Sequence, residues 1–189
     1  MRRLPAYLFL VVLLVYVACD APDTPPVEPT VTEITNDGPL RASDLGKAPD
    51  FALPTLEADS LRLSDLKGRI VVLNFWATWC APCRQEMPEL MELQEEFEDR
   101  GLSVLGVSMD TRSLFDPDGP KALVSLFAER LAINYPVVMG SPAVAEAYGG
   151  VYALPTTFVI DQDGQIAERY IGMVNRDILE TALHRLLDK

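Results

Sequence analysis

Seven consecutive residues, Ile70-Val71-Val72-Leu73-Asn74-Phe75-Trp76, carry no charge, and the chain then passes through Ala77-Thr78-Trp79 to Cys80-Ala81-Pro82-Cys83. So short and apolar a run reads as a strand buried on both faces. The residues that follow, Arg84-Gln85-Glu86-Met87-Pro88-Glu89-Leu90, read as a helix. Any fold of this chain must therefore set two thiols where a buried strand gives way to a helix. A helix N-terminus leaves backbone N–H groups unpaired and carries partial positive charge, so a thiolate there is stabilised. The pair is most simply a dithiol that shuttles between reduced and disulfide forms.

Other readings of the pair stand beside this one. A structural zinc site needs four ligands, and the chain adds only Cys19 and His184, so no protein-only metal site is expected. A disulfide used purely as a staple would close a four-residue loop and stabilise by roughly 2 kcal/mol. A peroxidase built on one attacking Cys would need its own surrounding signature, and none precedes Cys80.

The 189 residues leave room for one ordinary domain with appendages. Formal charge is −12, and it becomes −14 once Arg2 and Arg3 are removed. Such a surface repels polynucleotides, so no nucleic-acid partner is expected.

Residues 1–18 read as a signal peptide of lipoprotein type. Met1-Arg2-Arg3 is basic, and Leu4 to Ala18 is an apolar core too short for an ordinary membrane span. Tyr16-Val17-Ala18-Cys19 matches the end of a lipobox, with Tyr where Leu is usual, and makes Cys19 the expected lipidation site. Ordinary cleavage nearby and an uncleaved anchor are the alternatives; each exports the rest of the chain. Asp20 resembles an inner-membrane retention signal. The expected location is the bacterial cell envelope, lipid-anchored on the extracytoplasmic side, with the inner membrane favoured. Outside the cytosol thiols drift to disulfide unless something keeps them reduced. Residues 19–46, rich in Pro, Thr, Asp and Glu, read as a disordered tether.

Residues 47–189 carry the domain pattern. Ala48 to Leu53 and Ser60 to Leu63 form a hairpin; Ile70 to Trp76 is the central strand; about Pro82 to Asp99 is a helix that Gly101 ends. Leu102 to Met109 is a second buried strand. Gly119 to Leu131 is a helix whose Leu123, Phe127 and Leu131 share a face. Tyr135 to Met139 is extended, and Pro142 to Tyr148 is a short helix with Pro first. Thr156 to Asp161 and Gln165 to Ile171 make a hairpin about Gln162-Asp163-Gly164. A last amphipathic helix spans about Asn175 to Leu187, with Ile178, Leu179, Ala182, Leu183, Leu186 and Leu187 inward. The order implies an α/β fold, a mixed central sheet with helices on both faces and an N-terminal β-hairpin. His184 reads as a solvated helix residue.

Phe75-Trp76-Ala77-Thr78-Trp79-Cys80-Ala81-Pro82-Cys83 resembles the active site of a thioredoxin-fold protein. Ala48-Pro49-Asp50-Phe51, Leu66-Lys67-Gly68-Arg69-Ile70 and Tyr152-Ala153-Leu154-Pro155-Thr156-Thr157-Phe158-Val159-Ile160-Asp161-Gln162-Asp163-Gly164 narrow the resemblance to the membrane-tethered thiol–disulfide oxidoreductases of the TlpA/ResA type. It covers roughly Lys47 to Lys189.

The resemblance implies a three-layer thioredoxin-like fold in which Cys80 is the attacking sulfur and Cys83 the buried resolving one. Lowering a thiol pKa from about 8.5 toward 7 raises the thiolate from a few per cent to about half at neutral pH. Attack on a partner disulfide gives a mixed disulfide, which Cys83 resolves. Pro155 matches a cis-proline facing the disulfide, Glu86 an acidic position that tunes or protonates the sulfurs, and Pro88 a helix-kinking proline. A plain first-turn Glu answering the helix dipole is the other reading of Glu86. Trp79, Pro82, Leu154 and Thr156 are expected to line the substrate surface, while Trp76 could equally be core. Asn74 stands where thioredoxins keep a buried acid, which leaves Glu86 as the candidate base.

By the same resemblance the partners are protein disulfides or dithiols, such as an apocytochrome c before haem attachment. A membrane-embedded thiol reductase would donate electrons, and no cofactor is implied. Reduction is the favoured direction. The rival classes are a thioredoxin-fold peroxidase and a non-enzymatic lipoprotein interaction module.

Overall fold

The computed structural model describes residues 46–57, 59–110 and 119–188. The signal sequence, Cys19 and all but the last residue of the expected tether lie outside them. Strand β1 (Ala52–Pro54) pairs antiparallel with β2 (Ser60–Arg62), as the hairpin reading expects. A 3-10 turn over Leu63–Leu66 leads into β3 (Ile70–Trp76), which is buried at all seven positions. Helix α1 (Ala81–Phe97) follows, and a 3-10 turn over Glu98–Arg100 closes at Gly101, whose φ of 98° suits a residue without Cβ.

Strand β4 (Leu102–Ser108) is again buried throughout. Next come α2 (Gly119–Leu131), β5 (Val137–Met139) and α3 (Pro142–Ala147). In α3, Ser141 caps by accepting from the Val144 N–H, and Pro142 takes the first helical position, where its missing N–H costs nothing. Strands β6 (Thr156–Ile160) and β7 (Ile166–Ile171) form the second hairpin, and α4 (Arg176–Leu187) ends the domain behind the Asn175 cap.

The large sheet runs β5-β4-β3-β6-β7. Strand β3 lies parallel to β4 and antiparallel to β6, so the sheet is mixed. Strand alternation divides the core in two. Ile70, Val72 and Trp76 face a layer built from Met87, Leu90, Leu93 and Phe97 of α1 with Leu179, Leu183 and Leu186 of α4. Val71, Leu73 and Phe75 face the other way, toward Phe51 and Leu53 of the hairpin segment and Tyr148 behind α3. The mixed sheet covered on both faces is the α/β arrangement expected from the element order, and it is the thioredoxin-like fold that the resemblance implies.

Helix α2 corrects one detail. Leu123 is 51% exposed and Leu131 is also exposed, whereas Val124 is buried and Phe127 packs against Trp76 with ring centroids 5.4 Å apart. Of the expected stripe only Phe127 faces the sheet, with Val124 beside it; Leu123 and Leu131 do not. In α4, Leu179, Ala182, Leu183 and Leu186 are buried, but Ile178 is exposed.

Among the described residues no helix is long and apolar enough to cross a membrane, and no three His, Cys, Asp or Glu side chains are grouped to hold a metal.

Candidate active site

Strand β3 delivers Ala77-Thr78-Trp79 to its carboxyl end, the edge of an α/β sheet where ligands usually bind. Cys80 is the N-cap of α1, with extended backbone, and its sulfur accepts a hydrogen bond from the Cys83 N–H at 3.3 Å. The two cysteines are joined as a disulfide, with Cα atoms 5.3 Å apart. Cys83 is fully enclosed one turn into the helix, while Cys80 keeps a small exposure. Pro82 sits exposed in the first turn, and Trp79 is 68% exposed beside the pair.

Sheet register brings the second half of the site across. Phe75 of β3 pairs with Thr156 of β6, so the residues before Thr156 arrive at the end of β3 although about 80 positions separate them. The Leu154–Pro155 peptide is cis, and the Pro155 carbonyl accepts from the Gly172 N–H at 2.8 Å. Leu154 is half-buried and Pro155 buried. Thr156 departs from the expectation for it. Its side chain is only 1% exposed and its hydroxyl donates to the Ala153 carbonyl at 2.8 Å, so that hydroxyl is turned inward and not toward a substrate.

Glu86 follows Cys83 by three residues on α1 and so shares its helix face. It is 1% exposed. The Asn74 amide donates to Glu86 Oε1 at 2.7 Å and the Val174 N–H donates to Oε2 at 3.3 Å. Burial raises its pKa to about 7; the bonds from Asn74 and Val174 oppose that rise, and the charge of Glu89 adds to it. Asn74 Nδ2 also donates to Thr157 Oγ1 at 3.0 Å, while Asn74 Oδ1 is buried without a partner among the described residues. Burial first, and the Glu86 charge second, push the Tyr135 phenol well above its usual range.

Trp76 takes the core alternative: it is fully buried, its indole packed so close over Gly106 that a Cβ there would stand 2.9 Å from Nε1. Other site features lay beyond the sequence reading. Asp110, just past β4, accepts from both the N–H and the hydroxyl of Thr78. Tyr152 (87% exposed), Ile171 and Met173 present bare apolar surface on segments adjoining Pro155. The one available signal was the pair of polar residues Ser108 and Asp110 closing a buried strand parallel to β3. His184 is half-buried and stands edge-on to Phe97, away from the disulfide-bearing end of α1.

A disulfide whose first sulfur caps a helix at the end of the central strand of a mixed α/β sheet defines a thiol–disulfide oxidoreductase on a thioredoxin-like fold. The AhpC/TSA family matches residues 46–169. The thiol-disulfide oxidoreductase ResA of Geobacillus thermodenitrificans is 38% identical over 140 residues, 74% of this chain and 75% of that one. The thioredoxin-like protein YneN of Bacillus subtilis is 36% identical, covering 72% and 76%. Among solved structures, a secreted thiol-disulfide isomerase from Corynebacterium glutamicum superposes with a TM-score of 0.66 at 31% identity, over 75% of this chain and 86% of that one. A thiol:disulfide interchange protein from Chlorobium tepidum gives 0.65 at 28%, over 75% and 95%. The chain belongs to the AhpC/TSA family and, within it, to the ResA-like thiol–disulfide oxidoreductases.

Proposed function

We propose that the protein works outside the cytoplasm as a membrane-tethered reductant of protein disulfides, with Cys80 attacking and Cys83 resolving. The observation that carries the exchange and the two sulfur roles is the asymmetry of the pair: Cys80 caps the helix and keeps a small exposure, and Cys83 is enclosed behind it. The reduced Cys80 thiolate attacks one sulfur of a substrate disulfide, forming a mixed disulfide and releasing a substrate thiolate. Cys83, giving its proton to the Glu86 carboxylate, then attacks Cys80 Sγ. The Cys80–Cys83 bond forms, the second substrate thiolate leaves, and two electrons have passed to the substrate.

Glu86 suits that step because a carboxyl titrating near 7 can both take and return a proton at neutral pH. Asn74 can serve either charge state. Its Nδ2 donates to the carboxylate, and after a half-turn of the amide its unpartnered Oδ1 can accept from the acid. Trp79, Pro82, Leu154 and the cis-Pro155 backbone would receive the substrate, with the exposed Tyr152, Ile171 and Met173 extending that surface. Such an apolar rim suits an extended polypeptide better than a small polar disulfide.

The lipoprotein-type signal, lipid on Cys19 and the tether of residues 19–46 would hold the domain at the outer face of the cytoplasmic membrane. A membrane-embedded thiol reductase would restore the dithiol. An apocytochrome c awaiting haem attachment is the favoured substrate. Expression of Cys83→Ser in cells tests this, because the mixed disulfide on Cys80 can no longer be resolved. Apocytochrome c bound to Cys80 is the expected species; recovery of the reductase alone, or of nothing, defeats the substrate assignment.

A further inference from the structure

Thr78 stands two residues before Cys80, and all three of its polar groups are held. Its N–H donates to Asp110 Oδ2 at 3.0 Å and its hydroxyl to Asp110 Oδ1 at 2.6 Å. Its carbonyl accepts from Arg84 Nη1 at 3.1 Å. Asp110 is 9% exposed, and its Oδ2 also accepts from Ser108 Oγ at 2.9 Å. The Asp110 N–H donates back to Ser108 Oγ at 3.3 Å, and the Met109 N–H donates to the Trp76 carbonyl at 2.7 Å. The segment leaving β4 is thus stapled to the segment leaving β3, immediately before the residues that meet substrate.

A carboxylate this enclosed is costly unless its oxygens are satisfied. Here three donors converge on it, and two belong to one loop residue. Exchange at sulfur proceeds with the three sulfurs nearly in line, and a misplacement of about 1 Å can cost about 100-fold in rate. We propose that Asp110 is the positioning residue of this oxidoreductase. It acts through Thr78 to hold the base from which Trp79 and Cys80 are presented. The proposal rests on Cys80 being the attacking sulfur.

The variants Asp110→Ala and Asp110→Asn separate position from charge. An Asn carbonyl can still accept from the Thr78 N–H, and its amide can donate to Thr78 Oγ1, so the hold survives without the charge. Ala removes both. Two rates are read: reduction of insulin disulfides, and alkylation of Cys80 by iodoacetamide across pH, which needs no in-line partner. Asp110→Ala should reduce insulin about 10- to 100-fold more slowly while its limiting alkylation rate stays within about 3-fold. Asp110→Asn should recover exchange to within about 3-fold of the native rate.

Native exchange by a folded Asp110→Ala overturns the proposal, and so does equal loss in the Ala and Asn variants. Should Asp110→Ala fail to fold, Thr78→Val removes the hydroxyl bond alone and should slow exchange by about 3- to 10-fold; a native rate there overturns the proposal too. Mass mapping of the reduced native protein after brief alkylation comes first. Label on Cys83 ahead of Cys80 overturns the sulfur assignment independently of the Asp110 variants, and this proposal with it.

Discussion

Asn74 Nδ2 donates to Glu86 Oε1 across 2.7 Å, tying the middle of the central strand to the helix that carries both sulfurs. That bond favours the charged carboxyl, while burial of the same group favours the neutral one, and burial prevails. Glu86 is left titrating near neutrality inside the core.

Stability should therefore depend on pH through Glu86. Its folded pKa, about 7, lies above its unfolded value of 4.5, so the unfolded chain sheds the proton first as pH rises. The contribution to stability is full below about 4.5, declines between 4.5 and 7, and is lost above. The fall is about 3 kcal/mol. Urea unfolding of oxidised native protein and Glu86→Gln, at pH 5 and pH 8, should differ by that order in slope. Parallel pH profiles would show that Glu86 is not the group responsible.

Removing the amide should move the same titration upward. In Asn74→Ala the carboxylate loses a hydrogen bond that holds its pKa down, so the midpoint should rise beyond about 7. Carbon-detected NMR of the Glu86 carboxyl reads it directly. An unchanged or lowered midpoint would mean the amide contributes nothing to charge stabilisation.

The sulfur roles make a separate prediction. Cys80→Ser should abolish insulin reduction and form no mixed disulfide, whereas Cys83→Ser should form one and stall. Hydrogen peroxide should be consumed slowly by either single-cysteine protein. Rapid peroxide turnover by Cys83→Ser would instead make the protein a peroxidase.

Trp79 projects into solvent, so Trp79→Ala should change unfolding free energy by no more than about 0.5 kcal/mol. Its effect should appear in KM for a protein disulfide, raised about 10-fold, with little change toward a small disulfide such as oxidised glutathione. Equal KM changes for both would remove the tryptophan from polypeptide recognition.

Helix α2 supplies a stability contrast. Leu123→Lys should be within about 0.5 kcal/mol of native because that side chain is already in water. Val124→Ala empties fully buried space and should cost about 2 kcal/mol. Chemical denaturation decides between the stripes, and the reverse ranking would contradict the helix orientation.

That contrast marks where sequence reading succeeds. The strand–Cys-x-x-Cys–helix unit was legible because each part is local: an uninterrupted apolar run, a capping sulfur, a proline in the first turn. The stripe on α2 was not, since Leu123, Val124, Phe127 and Leu131 offer two apolar faces of similar weight and only the neighbour, Trp76, chooses. Pro155 entered through resemblance, and its place at the site depends on the Phe75–Thr156 register, which no local pattern records. The partner of Asp110 was not legible for the same reason. The two bonds between Asp110 and Thr78 exist because β3 and β4 run in parallel with Trp76 opposite Ser108.

The pairing of β3 with β6 has a consequence for the protein's birth. During synthesis the two thiols emerge long before Thr156, and Val174, whose N–H holds Glu86, emerges later still. A nascent or truncated chain ending after β4 thus owns both sulfurs but neither the β6 neighbour of the central strand nor the complete hydrogen-bonded setting of Glu86. The surroundings of the cysteines are therefore completed only by the last third of the polypeptide.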